Sequence, residues 1–328
     1  MDMTEMQPLV QAAALEITTQ DPDVHTVGVD LRWNQPVLRA VRRSSLRAQA
    51  RALPKRVEGL SLVIEEAPHT LVPLHKIPGA SAQAATLPEQ ERQRPLTLGL
   101  QVQNIDHDLR GGAATSGYRT VGTLGCFVQL GSEVQMLSNN HVIAGGNDAQ
   151  INDRIQQPGA LEVVPEQVVA ELSAFVPLVF VPEGQLGMAE GVNLVDAATA
   201  RLSAGTDHLR AYLPHHRVRA PGSVRDPLPG EEVYKVGRTT GLTRGRAVSV
   251  LVEAGPVGYE GGAAFFRRSF SVQGLMGTLF SSGGDSGSAI VAAQDGALLG
   301  LLYAGNGVET YACSASEALS ALGATLDV

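Results

Sequence analysis

From residue 96 onward the chain breaks into short runs of strand-forming residues separated by glycine-, proline- and asparagine-rich turns. The runs are 96–102, 122–130, 134–138, 168–181, 193–202, 232–236, 246–252 and 289–302. Strands this short at this spacing predict an all-β barrel or sandwich. The 36 glycines suit many tight turns. One helix is expected in this region, at its end. Ser314 and Glu317 have capping-box spacing ahead of Ala318, Leu319 and Leu322.

The first 77 residues read differently. Residues 3–19 carry Met6, Leu9, Val10, Ala13, Leu15 and Ile17 near helical spacing, and Asp21-Pro22-Asp23 breaks the pattern. Residues 25–33 alternate as a strand, 37–41 form a second, 44–52 a short helix and 60–64 a third strand. This order predicts a small α/β domain over 1–77. Residues 78–95 contain nothing apolar and periodic and read as a flexible linker, which leaves 96–328 as the main domain.

Charge and composition exclude several classes of function. The net charge is −8, and the deficit lies entirely in 96–328, with 14 basic against 22 acidic residues. Such a surface is not built to coat nucleic acid or anionic lipid, so no nucleic-acid or membrane partner is expected. The basic run Arg39, Arg42, Arg43, Arg47, Arg51, Lys55 and Arg56 reads as a solvated strand edge and helix, the alternative being a site for nucleic acid, a phosphorylated partner or an acidic surface of another subunit. Cys126 and Cys313 read as small buried hydrophobes. No His/Cys set has metal-ligand spacing, so neither metal nor cofactor is expected. His215-His216 beside Pro214 reads as a loop. A start without a basic n-region and the absence of a long apolar run point to a cytoplasmic location.

The chemistry concentrates at Ser281-Ser282-Gly283-Gly284-Asp285-Ser286-Gly287-Ser288, followed by an apolar run. A nucleophilic serine must stand exposed on a tight turn. Its own N–H and that of Gly284 must converge on one point to hold an oxyanion, and the glycines give the backbone that freedom. A serine also needs an imidazole base and a carboxylate that orients it. His141 follows a predicted strand in Leu137-Ser138-Asn139-Asn140-His141. Asp196 lies in the apolar stretch Asn193-Leu194-Val195-Asp196-Ala197-Ala198, where a carboxylate requires a donor. The order His, Asp, Ser, with gaps of 55 and 90 residues, separates this set from the hydrolase and subtilisin orders.

These three blocks resemble those of trypsin-like (chymotrypsin-clan) serine proteases. Gly237-Arg238-Thr239-Thr240-Gly241 is similar to the hairpin before the nucleophile in bacterial secreted members. The paired asparagines and the preceding α/β segment look most like the plant narrow-leaf protease and its bacterial relatives. The resemblance implies two six-stranded antiparallel β-barrels with the site between them. It implies catalysis by His141, Asp196 and Ser286, with an oxyanion hole at Gly284 and Ser286. Asp285, behind the nucleophile, would be held by Arg238, unless Arg238 is a solvated hairpin residue. Substrate would pair with Ala304 and Gly305. Phe280 at the pocket base would disfavour a basic side chain, although it equally suits barrel core. The family's usual serine beside the catalytic carboxylate is replaced by Tyr303 or Leu302, which leaves that carboxylate's further support open.

The function expected is a serine endopeptidase acting on protein or peptide. Residues 1–77 would build a homo-oligomer, recruit substrate or meet a regulatory partner. An adaptor using the cleft to hold partners, or an esterase with the same triad, are the alternatives.

Overall fold

The computed structural model describes residues 3–32, 35–44, 53–73, 76–77, 86–111, 119–181 and 192–328. The described residues are mainly β, organised in two large curled sheets and two two-stranded ones. The first has eight strands. It includes Cys126–Leu130, Glu133–Ser138, Val168–Phe175 and Ala198–Leu202, and ends on Thr325–Leu326 near the C-terminus. Glu133–Ser138 pairs antiparallel with both Cys126–Leu130 and Ala198–Leu202, which brings the His141 and Asp196 regions to one end of the sheet.

The second sheet has fourteen strands. Its row runs through Gly262–Gly274, Glu309–Ser314, Ala297–Gly305, Ala289–Ala292, Glu232–Gly237 and Gly241–Tyr259. A direct pairing of Gly241–Tyr259 with Gly262–Gly274 joins the two ends of that row. The sequence reading missed Gly262–Gly274. Gly255-Pro256 reads as a break and Arg267-Arg268 interrupts the apolar pattern. The ladder absorbs these residues by four register shifts along the hairpin, the usual means of bending a strand without ending it.

The N-terminal elements join this sheet. Helix Met3–Gln20 is followed by strands Val24–Arg32, Gln35–Arg43 and Leu60–Ala67, as the pattern predicts. Thr26, Val27 and Val29 pair with Ala254, Glu253 and Val250 of the long strand. Val10 and Ile17 of the helix share one apolar cluster with Val233, Phe270 and Leu299. The segment therefore buries its apolar face against the protein that follows it. The helix expected over 44–52 lies largely outside the described residues, as do linker residues 78–85.

The described remainder of the expected linker, residues 86–95, is anchored. It holds a 3-10 turn at Pro88–Gln90. Gln90 Nε2 donates to the Arg238 carbonyl at 2.8 Å. The buried Glu89 carboxylate meets His216 Nε2 at 2.5 Å, so His216 does more than sit in a loop. Its lack of apolar periodicity was misleading, because polar contacts hold the segment. The basic run also departs from expectation at Arg39, whose buried guanidinium pairs with Glu65 at 2.5 Å and with Glu309. The C-terminal helix forms as Ala315–Leu322 without the expected cap, since Ser314 Oγ donates to Asp226 instead. Both cysteines are buried, and burial pushes their thiols up to about 12. No helix among the described residues is long and apolar enough to cross a membrane.

Candidate active site

His141 sits on the four-residue helix Asn140–Ile143, directly after strand Glu133–Ser138. Its N–H donates to Asp196 Oδ1 at 3.1 Å, and its Nδ1 hydrogen-bonds Asp196 Oδ2. Asp196 thus grips both backbone and ring of one residue, which fixes the imidazole's orientation. The expectation that Asp196 lies inside a strand is corrected. It stands in the turn between Val192–Asn193 and Ala198–Leu202, where its carboxylate is free to leave the ladder.

The two asparagines beside His141 hold the surrounding turns. Asn139 Nδ2 donates to the Asp196 carbonyl at 2.7 Å, and Asn140 Nδ2 to the Val176 carbonyl at 2.7 Å. The open question of further support for Asp196 is answered by Tyr259, at the end of the long strand. Its hydroxyl donates to Asp196 Oδ2 at 3.0 Å, and its ring centroid lies 5.5 Å from that of His141. Burial and the Asp196 charge hold that hydroxyl's pKa well above the ordinary tyrosine value. Sequence reading missed Tyr259 because it lies on the far side of the apparent Gly255-Pro256 break.

Ser286 stands on a turn bracketed by glycines at positive φ, Gly284 at +99° and Gly287 at +89°. At Gly284 a Cβ would lie 2.7 Å from Arg238 Cδ, and at Gly287 it would press on Ser138. Both positions therefore need glycine for conformation and for space. The turn is tied down on both sides. Thr123 N–H donates to the Ser286 carbonyl at 2.8 Å, and Gly287 N–H to the Leu302 carbonyl at 2.9 Å. The Ser286 hydroxyl makes a long 3.4 Å contact with the Tyr303 carbonyl. Tyr303 thus gives its backbone to the site. Its buried ring stacks on Phe266, and its hydroxyl lies 3.0 Å from Ser269 Oγ.

Asp285 turns inward, fully buried, and collects five donors. Oδ1 accepts from Thr239 N–H at 2.9 Å and Thr240 N–H at 3.2 Å. Oδ2 accepts from Thr240 Oγ1 at 2.7 Å, Ser282 N–H at 3.0 Å and Lys235 Nζ at 3.2 Å. The expected Arg238–Asp285 pair is therefore corrected: the cation is Lys235. Strand parity explains why. Val233, Lys235 and Gly237 alternate onto one face of Glu232–Gly237, and a Cβ on Gly237 would collide with the Asp285 carboxylate. Arg238 follows that strand, and its Nη1 donates to Thr239 Oγ1 at 3.3 Å rather than to the Asp285 carboxylate. It makes no salt bridge among the described residues, and burial lowers its pKa to about 10. A lysine one step from a core valine was the available signal for Lys235.

A cleft of about 540 Å³ opens beside this turn. Ser281–Gly283 form one wall and Gly305–Gly307 the other, with Phe280 and Glu309 also lining it. Phe280 belongs both to the cleft and to the apolar core. The buried Glu309 carboxylate already has Arg39, Gln273 Nε2 at 2.8 Å and the Tyr311 hydroxyl at 2.8 Å. Ala304 and Gly305 form the end of strand Ala297–Gly305, and residues 72–73 lie against them.

No known family profile and no curated protein matches the sequence. Solved structures do show a likeness. A glutamic acid-specific serine protease, described as using a histidine triad in substrate binding, aligns with 19% identity over 71% of this chain and 100% of its own, at a TM-score of 0.47. Thermobifida fusca protease A aligns with 15% identity over 63% of this chain and 91% of its own, at 0.43. A Nocardiopsis protease aligns with 13% identity over 63% and 93%, at 0.44.

Proposed function

We propose that this chain is a serine endopeptidase with Ser286 as nucleophile, His141 as base and Asp196 as the group that orients it. One observation carries the reading. Asp196 holds both the N–H and Nδ1 of His141, and Ser286, buried, lies on a turn bracketed by Gly284 and Gly287. Ser286 Oγ attacks the substrate carbonyl while His141 Nε2 takes its proton. The N–H groups of Gly284 and Ser286 hold the oxyanion. His141 then returns the proton to the leaving amine, and water hydrolyses the acyl-enzyme by the same path in reverse. Asp196 and Tyr259 keep the imidazole in the tautomer that makes this relay work.

In this reading each of the two large curled sheets contains the strands of one six-stranded barrel, and residues 96–328 supply the catalytic machinery. The asparagine pair at Asn139 and Asn140 supports reading the chain as similar to the narrow-leaf protease group. The cleft favours a small or apolar side chain before the scissile bond. Its floor carries Phe280, and the charge of Glu309 is already matched by Arg39. No metal or cofactor takes part in these steps.

The test is identification of new termini after a complex peptide mixture meets the wild-type protein or Ser286→Ala. Wild-type protein should generate cleavages after small or apolar residues, and Ser286→Ala should lose about 10⁴-fold in rate. Equal cleavage by both would refute the reading.

A further inference from the structure

Three ligand-type side chains converge where residues 86–95 are anchored. His215 and His216 lie on the 3-10 turn Pro214–His216, and Glu89 lies on the turn Pro88–Gln90. Glu89 Oε1 is 2.5 Å from His216 Nε2 and 3.5 Å from His215 Nε2. Both imidazoles thus turn the same nitrogen to one oxygen, with ring centroids 4.0 Å apart. The ligand atoms of all three lie within 4.8 Å of one another. Local spacing hides this set, because Glu89 stands 127 residues from His216.

The geometry suits a small tetrahedral ion. Zinc binds imidazole nitrogen and carboxylate oxygen at about 2.0–2.2 Å, so its ligand atoms stand about 3.3–3.5 Å apart. The His215–Glu89 separation of 3.5 Å already has that value. The His216–Glu89 contact needs to open by less than about 1 Å. Two imidazoles and a carboxylate form a donor set for zinc and related first-row ions, whereas calcium and magnesium take oxygen ligands. Burial adds a reason for a cation. Glu89 is buried, and its ion-pair partners among the described residues are these two histidines. A buried carboxylate is costly unless its charge is matched. The His215 side chain is 51% exposed, which gives the ion a path from solvent.

We propose that Glu89 Oε1, His215 Nε2 and His216 Nε2 bind one zinc ion, with water in the fourth position. The hydrogen that bridges Glu89 and His216 leaves as the ion enters. The ion takes no part in acyl transfer and acts as a clasp. Residues 86–95 already touch the hairpin behind the nucleophile, since Gln90 Nε2 donates to the Arg238 carbonyl at 2.8 Å. The next two N–H groups, of Thr239 and Thr240, hold Asp285. Zinc fastens this segment to the 214–216 turn and so fixes one flank of that hairpin. The inference stands apart from the endopeptidase reading, because neither the ligands nor the clasp depends on Ser286 chemistry.

The experiment is calorimetric titration of the chelator-stripped full chain with zinc chloride, in wild-type protein, His215→Ala and Glu89→Gln. Wild-type protein should take up one zinc per chain. His215→Ala removes a half-exposed side chain, so the fold persists by circular dichroism while affinity falls at least about tenfold. Glu89→Gln keeps the size of the side chain and removes its charge, and should lose the one-to-one uptake. Cobalt(II) in place of zinc should give the intense visible absorption of four-coordinate geometry in wild-type protein and not in Glu89→Gln. Hydrogen exchange tests the clasp: zinc should slow exchange over 86–95 and 213–217 in wild-type protein and leave His215→Ala unchanged. No saturable one-to-one uptake by wild-type protein overturns the proposal. Equal uptake by all three proteins also overturns it, since zinc then binds elsewhere. Uptake without slowed exchange in those two segments overturns the clasp.

Discussion

Replacing Lys235 with methionine tests how the nucleophile turn is built. Lys235 Nζ and Asp285 Oδ2 are 3.2 Å apart, and both side chains are fully buried. Removing one partner of a buried pair typically costs about 3–5 kcal/mol, because the remaining charge is left without compensation. Asp285 keeps four other donors, from Thr239, Thr240 and Ser282. The loss should therefore fall at the low end, about 3 kcal/mol. Arg238 forms no ion pair among the described residues, so Arg238→Ala should change stability by less than about 1 kcal/mol. Urea unfolding followed by circular dichroism, in a Ser286→Ala background, measures both. In the active background Lys235→Met should also lower peptide hydrolysis at least tenfold, because Asp285 adjoins both oxyanion donors. Unchanged stability in Lys235→Met, with a loss of about 3 kcal/mol in Arg238→Ala, would refute the assignment.

Other variants probe the rest of the account. Tyr259→Phe removes a donor to a charged acceptor, a bond worth about 1.5–3 kcal/mol, so kcat/KM should fall roughly 10–100-fold while the fold persists; an unchanged kcat/KM would remove Tyr259 from the site. Burial raises the Glu253 carboxyl to about 7, so the folded state keeps a proton that the unfolded state releases above its ordinary range. Stability should fall as pH rises from about 4.5 to 7, by up to about 3 kcal/mol, and Glu253→Gln should abolish that slope. Burial lowers His25 to about 4, the opposite case. Its contribution is present above about 6.5 and is lost as pH falls towards 4, and His25→Gln should flatten that limb. Stability–pH curves of the two single variants separate these opposed slopes, and a curve unchanged in either variant would refute its assignment.

The parts of the site that were legible in the sequence are those whose chemistry demands local residue types. The glycines around Asp285 and Ser286 are needed by the turn itself, and His141 follows directly from its strand. The missing parts come from distant segments. Tyr259 reaches Asp196 from the end of a strand that crosses a Gly-Pro pair, and local pattern reads such a pair as an end. Arg238 is what the resemblance of its hairpin implies, whereas the alternation of strand Glu232–Gly237 turns Lys235 to Asp285. The N-terminal helix and first strands were readable from periodicity, yet periodicity cannot say against which surface an apolar face will pack. The strands at 72–73 and 76–77 have only two residues each. Pairing partners define them, and a sequence carries no period at that length.

The most direct measurement is mapping of a fluorophosphonate adduct after native labelling, in wild-type protein and His141→Ala. The account predicts a single adduct on Ser286, lost in His141→Ala and in denatured protein. Equal labelling of His141→Ala, or an adduct on another residue with Ser286 unmodified in every form, would contradict it.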